Sequence, residues 1–502
     1  MKLKTDLVIM GSGMAGISAA DAALARGKKV IVFEKKPYQG GAVSNCPIAY
    51  VSIRKDRAFQ NAAFHLLYEY SNYNANPSVI RQYVNNSWRT KEYIERLGIK
   101  MIPTQQLELE DIGDPKYADG FPPAVMAHGD FYLVPGRGKG HGGALICLNA
   151  MKDIIKRGGQ YMLNTPITDI LVDVKAVNNE TKEEIEVECE AVIIASGGIM
   201  EDREMMKKYT GFTFTDYNCS GDGNVLFNCY PNSDQTGDGQ KLAWKLGGAQ
   251  SAIAVSGHNL VPGPGIVASS PWIVYNETRT IQEQPYLWVN KNGERFIDES
   301  ISNNHMAIST GIANQPNGES YIVFDEDTRR HLEEEGVDYM YFIFPVEKLT
   351  DIPGQFRTLI EEKGNKHVFM KDTIEELCAQ SGIDQAGLEE TLDRYNGYCD
   401  NGEDEEFGKN AKYLRPVRKG PFYAMRVFCA GYDTIGGIKV NGKMQVVKED
   451  GKAIPGLYAA GDNMMSEFYG NPPTGGSAGA YFAMPFGFAA GDSACDYMEK
   501  HA

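Results

Sequence analysis

The sequence has few of the patterns that would assign it a metal centre or a membrane span. Its nine cysteines are widely spaced and none forms a C-x-x-C pair, which excludes the common iron–sulfur, zinc and c-type haem motifs. No apolar run reaches the roughly eighteen residues of a membrane-spanning helix, so we expect no membrane partner. The odd number and wide spacing of the cysteines are typical of a reduced, cytoplasmic protein.

Positive charge is scarce as well. The chain has 50 Lys and Arg residues against 66 Asp and Glu residues, which gives a net charge of −16 at pH 7. Nucleic-acid binding requires a cationic surface that neutralises phosphates, so this balance argues against nucleic acid as a partner. The opening residues MKLKTDLVIM resemble the start of a signal peptide, but their apolar run is too short and continues directly into a glycine-rich turn. We therefore interpret this run as a first strand.

The first forty residues carry the most specific motif. An apolar run is followed by Gly11-Ser12-Gly13-Met14-Ala15-Gly16, a helical segment of small residues, and a second apolar run that ends in Glu34. A strand, a G-x-G-x-x-G turn, a helix and a strand ending in an acid form the fingerprint of a dinucleotide site. We expect Gly11 to make the tight turn and Gly13 to admit a pyrophosphate to the helix N-terminus. Gly16 then lets the helix approach the strand, and Glu34 accepts from a ribose hydroxyl.

The remaining chain divides by composition. Residues 1–269 and 421–502 hold apolar runs that end in small residues, whereas residues 270–420 mix proline, aromatic and charged residues without that alternation. We predict an α/β fold, in which a Rossmann-like domain formed by 1–269 and 421–502 is interrupted by an inserted α+β domain at 270–420. Two polar segments, 178–188 and 401–412, are interpreted as an acidic, turn-containing stretch and a surface loop.

Several motifs occur in an order that resembles the flavoprotein family of fumarate reductases and succinate dehydrogenases. They are GSGMAGISAA with Glu34, the Gly-Gly pair at 40–41, AVIIASGGI, TGDGQKLAWKLGGA, VNKNGERFIDE, GGIKV and GLYAAGD. The resemblance covers most of the chain and implies noncovalently bound FAD, a capping domain that closes over the flavin, and hydride transfer between flavin N5 and a substrate carbon. Together, the fingerprint and the resemblance assign to the cofactor Gly11, Gly13, Met14, Ala15, Gly16, Glu34, Lys35, Gly40, Gly41, Ala42, Ser44, Gly142, Gly143, Ile167, Ser196, Gly197, Gly198, Thr236, Gly237, Asp238, Gly461, Asp462, Gly476, Ser477 and Ala478.

The sequence departs from fumarate reductases where those enzymes bind a dicarboxylate. Aligned without gaps, Asn303 stands in place of their proton-donating Arg, Asp433 stands in place of a His, and the segment 471–474 has no cation in place of a second Arg. Without these cations the desolvation of two buried carboxylates would go uncompensated. We therefore predict that fumarate and succinate are not substrates, and that the substrate is a small, apolar, cyclic molecule. In this predicted substrate class the protein resembles the 3-ketosteroid dehydrogenases and the isoflavonoid (tetrahydrodaidzein) reductases more than the fumarate reductases.

Hydride transfer to a carbon–carbon double bond also requires a proton at the neighbouring carbon. The candidate donors beside the family motifs are Tyr432, Tyr469, His258 and His305. An unperturbed tyrosine, with a pKa of about 10, is protonated and able to donate. Two alternatives remain open: a reductase of a small monocarboxylate of enoate or urocanate type, and a non-catalytic flavin electron-transfer protein. The sequence has a single dinucleotide fingerprint, so the electron donor is unknown.

Overall fold

The computed structural model describes residues 1–41, 48–105, 130–134, 142–170, 174–215, 225–228, 233–260, 280–302, 305–339, 346–470, 474–475 and 479–501. The strands are β1 Lys2–Lys4, β2 Leu7–Met10, β3 Val30–Phe33, β4 Ile48–Ser52, β5 Ile102–Gln105, β6 Asp130–Val134, β7 Gln160–Met162, β8 Ile167–Ile170, β9 Val174–Val177, β10 Glu184–Glu188, β11 Ala191–Ile194, β12 Thr213–Thr215, β13 Val225–Asn228, β14 Gln250–Leu260, β15 Leu287–Asn290, β16 Glu319–Phe324, β17 Val368–Lys371, β18 Phe422–Ile438, β19 Gln445–Val447, β20 Ala453–Ala459 and β21 Thr474–Gly475. The α-helices are α1 Met14–Ala25, α2 Arg57–Tyr70, α3 Pro77–Arg96, α4 Gly142–Lys156, α5 Arg203–Thr210, α6 Asp238–Lys245, α7 His305–Ala313, α8 Glu326–Glu334, α9 Ile352–Arg357, α10 Ile374–Ser381, α11 Gln385–Asn401, α12 Ser466–Tyr469 and α13 Gly479–His501. Short 3-10 turns occupy Glu299–Ile301, Pro316–Gly318, Ala411–Tyr413 and Asp462–Met464, and a π-helical turn occupies Thr358–Glu362.

A central sheet runs in the order β19-β20-β11-β2-β3-β7. Its inner pairs are parallel: β2 lies between β3 and β11, and β11 also pairs with β20. Strands β2 and β3 are buried along their whole length, as expected for strands that are covered on both faces. The carboxyl ends of these parallel strands meet at one edge, which is where open α/β sheets bind their ligands. The predicted Rossmann-like α/β fold is confirmed.

The N-terminal and C-terminal helices lie in close contact because both present small residues. Helix α1 is buried from Met14 to Ala23. A side chain added at Gly487 of α13 would overlap Ser18 and the backbone of Ala15, and one added at Gly491 would come within 2.7 Å of the Ala19 carbonyl. Glycine therefore lets the two helices approach closely, and the C-terminal segment returns to the first βαβ unit.

The acidic segment 178–188 contains the predicted turn and, after it, a strand that was not predicted. Its second half forms β10, which pairs antiparallel with β9 and parallel with β1, while β9 pairs with β8. Ile185 and Val187 of this strand are buried, whereas Glu184 and Glu188 are exposed. Apolar and acidic residues alternate along this strand with the two-residue period that predicts a strand. The sequence analysis relied on the acidic composition of the segment and did not use this alternation.

A second large sheet joins the cofactor-binding part of the chain to residues 270–420. It runs in the order β12-β13-β18-β14-β21, with β16 and β17 beside β18 and with β15 beside β16. The long strand β18 pairs with β16 and β17 through its first half and with β14 through its second half. It begins just after the predicted boundary at 420/421 and serves both parts of the molecule. The domain boundaries themselves stay a prediction.

A group of charged side chains is buried within the cap-forming residues. Arg295 donates to both carboxylate oxygens of Glu299 at 2.8 and 2.9 Å and to both of Asp404 at 2.9 Å. Lys409 lies 3.3 Å from Glu299 and donates to the Tyr395 hydroxyl at 3.0 Å. The side chains of Arg295, Glu299, Asp404 and Lys409 are fully excluded from solvent. We call these four residues, together with Tyr395, the cap ion cluster.

The cap ion cluster refines one prediction from the sequence. The polar segment 401–412 was interpreted as a surface loop, and its residues are exposed except for Asp404 and Lys409, which are only 5% and 2% exposed. Burial opposes ionisation of Asp404, but the hydrogen bonds from Arg295 outweigh it and lower the pKa of this carboxyl to about 2. Charged residues enter a core when they are paired, and the partner Arg295 lies 109 residues away in sequence.

Candidate functional site

A cleft opens at the carboxyl edge of the central sheet, with about 650 Å³ of empty space when the adjoining solvent is included. Its walls come from the loops after β2, β3, β11 and β20, from residues 233–235 and from the start of α13. The lining residues are Gly11, Ser12, Gly13, Met14, Ala15, Glu34, Lys35, Lys36, Gly40, Gly41, Ala195, Ser196, Gly197, Ser233, Asp234, Gln235, Ala460, Gly461, Asp462 and Ala483.

Two glycines of the first turn are required by the protein's own backbone. Gly11 has a φ of 102°, and a side chain there would overlap the carbonyl of Ala195 at the end of β11. A side chain at Gly16 would overlap the Gly11 carbonyl. These residues therefore let the turn, the neighbouring strand and α1 lie together, which is the role expected of the first and third glycines of the fingerprint.

Gly13 lines the cleft for a different reason. A side chain added there would meet no protein atom closer than 3.9 Å, the distance to Gly41, and its φ of −70° is open to any residue. The protein itself would accept a larger residue, so glycine keeps clear a space that belongs to the cleft. This space adjoins the N-terminus of α1, where a pyrophosphate binds to free N–H groups.

Glu34 is held at the cleft by the turn and by its own loop. One carboxylate oxygen accepts from the Ser12 amide and hydroxyl at 3.0 and 2.8 Å, and the other accepts from the Lys36 amide at 3.0 Å. The Ser12 hydroxyl also accepts from the Gly40 amide at 2.8 Å. Ser12 was not predicted as a site residue, although its place inside the G-x-G turn opposite an acid was a usable signal.

Three buried polar side-chain atoms of the cleft lining have no hydrogen-bond partner in the described part of the chain. They are the hydroxyls of Ser196 and Ser233 and one carboxylate oxygen of Asp462. Burial raises the pKa of the Asp462 carboxyl to about 7. Buried polar groups are nearly always hydrogen-bonded, so these atoms fit a polar ligand. FAD carries hydroxyl and phosphate groups that would supply the missing partners, and the residues present therefore fit this cofactor.

Lys35 reaches from one wall of the cleft to the next. Its ammonium group donates to the Thr236 hydroxyl at 2.7 Å and to the Asp238 carboxylate at 2.9 Å. Thr236 in turn donates to the other oxygen of Asp238 at 2.9 Å, at the start of α6. These three residues were predicted to contact the cofactor, and the structure brings them together around a salt bridge.

Lys36 was missed by the sequence analysis. It is 6% exposed and lines the cleft, and its ammonium group lies 5.5 Å from the centre of the exposed Tyr38 ring. Burial lowers the pKa of Lys36, while the carboxylates of Asp234, Glu34 and Glu201 oppose that shift. Nothing in the local sequence distinguishes Lys36 from a solvated surface lysine.

Strand β18 has a β-bulge at Tyr432 and Asp433. The register between β14 and β18 changes from Val255↔Thr434 to Gly257↔Gly431, so that β18 contains one extra residue there. On its other side β14 pairs with β21, through Ser256↔Gly475. Bulges are frequent beside active sites, where they redirect side chains.

The backbone brings three of the four predicted acid candidates onto neighbouring elements. His258 lies on β14 and pairs with Ala430 of β18, two residues before Tyr432. His305 begins α7, which packs against β14, β18 and β21. Their side chains, and that of Tyr432, lie outside what the structure describes, so their proton-donor role remains a prediction.

Tyr469, the fourth candidate, ends α12 and is 8% exposed. Burial raises the pKa of its phenol well above the ordinary value of 10, and the nearby Tyr83, Tyr70, Asp433 and Asp462 raise it further. The ring packs edge-to-face on Phe468 with centroids 4.8 Å apart. Tyr469 is therefore a protonated hydroxyl in an environment of aromatic and acidic groups.

The other predicted cofactor residues either do not line the cleft or lie outside the described part of the chain. A side chain at Gly198 would overlap Thr434, and the Gly237 amide donates to the Gly198 carbonyl at 3.1 Å. Gly142 and Gly143 begin α4, and Ile167 begins β8. The residues outside the description are Ala42, Ser44, Asn303, Gly476, Ser477 and Ala478. Besides Ser12 and Lys36, the cleft-lining residues that the sequence analysis missed are Ala195, Ser233, Asp234, Gln235, Ala460 and Ala483.

The parallel sheet, the glycine turn with its open space at Gly13, and the acid after β3 define a dinucleotide-binding flavoprotein fold. Residues 6–478 match the model of a protein family described as FAD binding domain, and the chain belongs to this family. The protein binds FAD and is an FAD-dependent oxidoreductase, as predicted. No helix within the described ranges is long and apolar enough to cross a membrane.

The chain is similar to several reductases and dehydrogenases. It is 27% identical to vinyl phenol reductase of Lactiplantibacillus plantarum, over 99% of this chain and 97% of that protein. It is 25% identical to urocanate reductase of Eggerthella lenta, over 91% of this chain and 69% of that protein. A crystal structure of 3-ketosteroid delta1-dehydrogenase from Sterolibacterium denitrificans has the same fold, with a TM-score of 0.71 at 17% identity over 99% of this chain and 100% of that one.

Proposed function

We propose that the protein reduces a carbon–carbon double bond that lies in, or is conjugated to, a neutral apolar ring such as that of a steroid, an isoflavonoid or a phenol. When bound, reduced FAD supplies a hydride at N5 and becomes oxidised, and a proton from the protein completes the conversion of C=C to CH–CH. The chain's own task is to bind the ring, exclude water and hold that proton at the second carbon.

The surroundings of Tyr469 carry this proposal. Asp433 is 1% exposed, Asp462 lines the cleft, and both lie near enough to raise the pKa of Tyr469. A dicarboxylate beside these groups would add like charge to a desolvated site, which is strongly unfavourable. A neutral ring avoids that cost and gains from contact with the aromatic side chains.

The proposed proton donor is a tyrosine, although the burial that raises the pKa of Tyr469 also makes its phenol a weaker acid. Because its pKa is raised, Tyr469 keeps its proton throughout the physiological pH range, and Tyr432 lies in the bulge of the neighbouring strand. The similarity to vinyl phenol reductase extends over nearly the whole of both chains. It supports a substrate in which the double bond is conjugated to a ring that carries no carboxylate.

A substrate screen with the reduced flavin tests the proposal. Holoprotein is reduced anaerobically with dithionite and mixed with one compound at a time. The neutral ring compounds are 4-vinylphenol, a 3-keto-4-ene steroid and an isoflavone, and the carboxylates are urocanate, acrylate and fumarate. Reoxidation is followed by flavin absorbance near 450 nm. We expect at least one neutral ring compound to reoxidise the flavin and fumarate to be inert. Rapid reoxidation by fumarate, or by the carboxylates alone, would overturn the proposal.

Two tyrosine variants then test the proton donor. Tyr432→Phe and Tyr469→Phe each remove one hydroxyl, and we expect at least one of them to slow substrate reoxidation by about 10²–10⁴-fold with normal FAD content. Tyr458→Phe is the control, because the Tyr458 hydroxyl is also buried but donates to the Ser493 carbonyl of α13. If both test variants keep the wild-type rate, tyrosine is not the donor and His258 or His305 becomes the candidate.

A further inference from the structure

Two consecutive lysines, Lys35 and Lys36, line the FAD cleft in the loop after β3. Lys35 lines the cleft and is bonded to Thr236 and Asp238 at the start of α6, at 2.7 and 2.9 Å. The side chains of Lys35 and Asp238 are 25% and 34% exposed, so this bridge is partly accessible to solvent. It joins two segments that are 201 residues apart in sequence.

Lys36 is directed into the same region. It is nearly buried and lines the cleft together with Ser233 and Asp234. Burial lowers the pKa of its ammonium group, and the carboxylates of Asp234, Glu34 and Glu201 oppose that shift. Burying an ammonium group without such partners is very costly. Asp234 lines the same cleft, and its carboxylate attracts the Lys36 ammonium group.

The segment that contains Asp234 is itself held in place. The Glu201 carboxylate accepts from the amides of Ser233 and Asp234 at 2.9 and 2.6 Å, and the Glu201 amide donates to the Gln235 carbonyl at 2.9 Å. Asp234 has a φ of 60°, a backbone conformation that non-glycine residues seldom adopt. The carboxylates that face the two lysines are therefore presented by a segment that is fixed to the chain behind it.

We propose that Lys35 and Lys36, together with Asp234, Thr236 and Asp238, form a clasp that closes the FAD cleft and sets the rate at which the cofactor exchanges. The clasp opens when the lysines leave their partners, and FAD passes in or out while it is open. The proposal concerns the cofactor alone and does not depend on which substrate is reduced.

A clasp has a kinetic signature that a direct contact with FAD does not have. Removal of a lysine that merely attracts the anionic cofactor would slow FAD binding and speed its release. Removal of a clasp residue speeds both the binding and the release of FAD, because the open cleft is then more populated. The dissociation constant, which is the ratio of the two rates, changes much less than either rate. The association rate therefore changes in opposite directions under the two explanations.

The test uses Lys35→Met, with Lys245→Met as a matched control. Lys245 lies on the same helix α6 and bonds both carboxylate oxygens of Asp169 at 2.9 Å, so its loss removes an equal charge without touching the cleft. Association is measured from quenching of FAD fluorescence by apoprotein, and release from its recovery after strong dilution. We expect both rates to rise about three- to fivefold in Lys35→Met, as suits a partly exposed ion pair, and neither to change in Lys245→Met.

Asp238→Asn should reproduce the effect, and the double variant with Lys35→Met should add little to either single change, because the two residues share one interaction. In 1 M NaCl the difference from wild type should shrink, since the bridge is partly exposed and is screened. Slower association in Lys35→Met, unchanged rates, faster release alone, or equal effects in Lys245→Met would each overturn the proposal.

Discussion

The FAD cleft and the cap ion cluster bury polar groups in opposite ways. In the cap ion cluster each charge has partners: Arg295 binds two carboxylates and Lys409 binds Glu299 and Tyr395. In the cleft, Ser196 and Asp462 are buried with polar atoms that have no partner among the described residues. Each region is ordered, but only one of them has hydrogen-bonding capacity left for a ligand.

The difference extends to the two aspartates. Hydrogen bonds from Arg295 overcome the effect of burial and lower the pKa of Asp404 to about 2, while burial raises the pKa of Asp462 to about 7. A carboxyl whose charge is satisfied by the protein contributes to stability, whereas one that is buried without such partners is held for another purpose. The free polar atom is therefore the better indicator of a binding site, and the strong ion pair is the better indicator of structure.

The largest effects on FAD binding and on folding should come from replacing two glycines. Gly13 keeps space open in the cleft, whereas Gly16 is required by the protein's own packing. Gly13→Val should leave a folded apoprotein that takes up no FAD, because its side chain would fill the space kept for the pyrophosphate. Gly16→Val should prevent correct folding, since its side chain would overlap the Gly11 backbone. Circular dichroism and absorbance near 450 nm after incubation with FAD separate the two outcomes. A yellow, fully loaded Gly13→Val protein would contradict the assignment.

Arg295→Met tests the structural side of the comparison. The variant leaves Glu299 and Asp404 buried without their main cation, which should lower the free energy of unfolding by about 3–5 kcal/mol. The exposed Arg330, which pairs with Glu326, provides a control, because Arg330→Met should cost less than about 1 kcal/mol. Denaturant unfolding of both variants gives the values, and FAD affinity of the folded fraction should be unchanged. A small loss in Arg295→Met would mean that the cluster is not a source of stability.

The pH dependence of apoprotein stability should have opposite signs at the two aspartates. Asp404 has a lowered folded pKa, so its contribution is complete above about pH 4 and is lost as the pH falls toward about 2. Asp462 has a raised folded pKa, so its contribution is present below about pH 4 and is lost as the pH rises to about 7, at up to about 1.4 kcal/mol per pH unit. Thermal unfolding from pH 4 to 8 should become less pH-dependent in Asp462→Asn. An unchanged profile would refute this role.

The smallest effects come from removing one hydroxyl in each region. Ser196→Ala should leave apoprotein stability almost unchanged, because this hydroxyl has no protein partner among the described residues, and should weaken FAD binding by about 1 kcal/mol, or fivefold. Tyr395→Phe should do the reverse, with a loss of about 1.5–3 kcal/mol in stability because its hydroxyl accepts from charged Lys409. Calorimetric titration with FAD and thermal unfolding distinguish the two patterns. The same pattern in both variants would remove the distinction between the regions.

The cofactor half of the molecule could be predicted because its determinants are local. The strand, the glycine turn, the helix and Glu34 lie within forty residues, and each glycine has a distinct backbone task that sequence spacing reveals. The same holds for Ser196 and Gly197, which follow an apolar strand and line the cleft. The family resemblance then supplied FAD, which the fingerprint alone did not distinguish from other dinucleotides.

The parts that were missed depend on partners far away in sequence. Asp404 and Lys409 lie in a segment as polar as any solvated loop, and only the approach of Arg295 and Glu299 explains their burial. Lys36 and Asp234 line the same cleft although they are nearly two hundred residues apart in sequence. Composition describes a side chain's own polarity, but its environment is set by tertiary contacts.

Strand β18 gives the molecule a mechanical property of its own. Its 17 residues extend roughly 55 Å at about 3.3 Å per residue, and the two halves are hydrogen-bonded to different partners. Rotation of the cap relative to the flavin would therefore twist this strand. The bulge at Tyr432 and Asp433 already interrupts its hydrogen bonds to β14, so the twist would be taken up there most easily. Closure over a substrate would then first change the backbone conformation at Tyr432, a predicted proton donor.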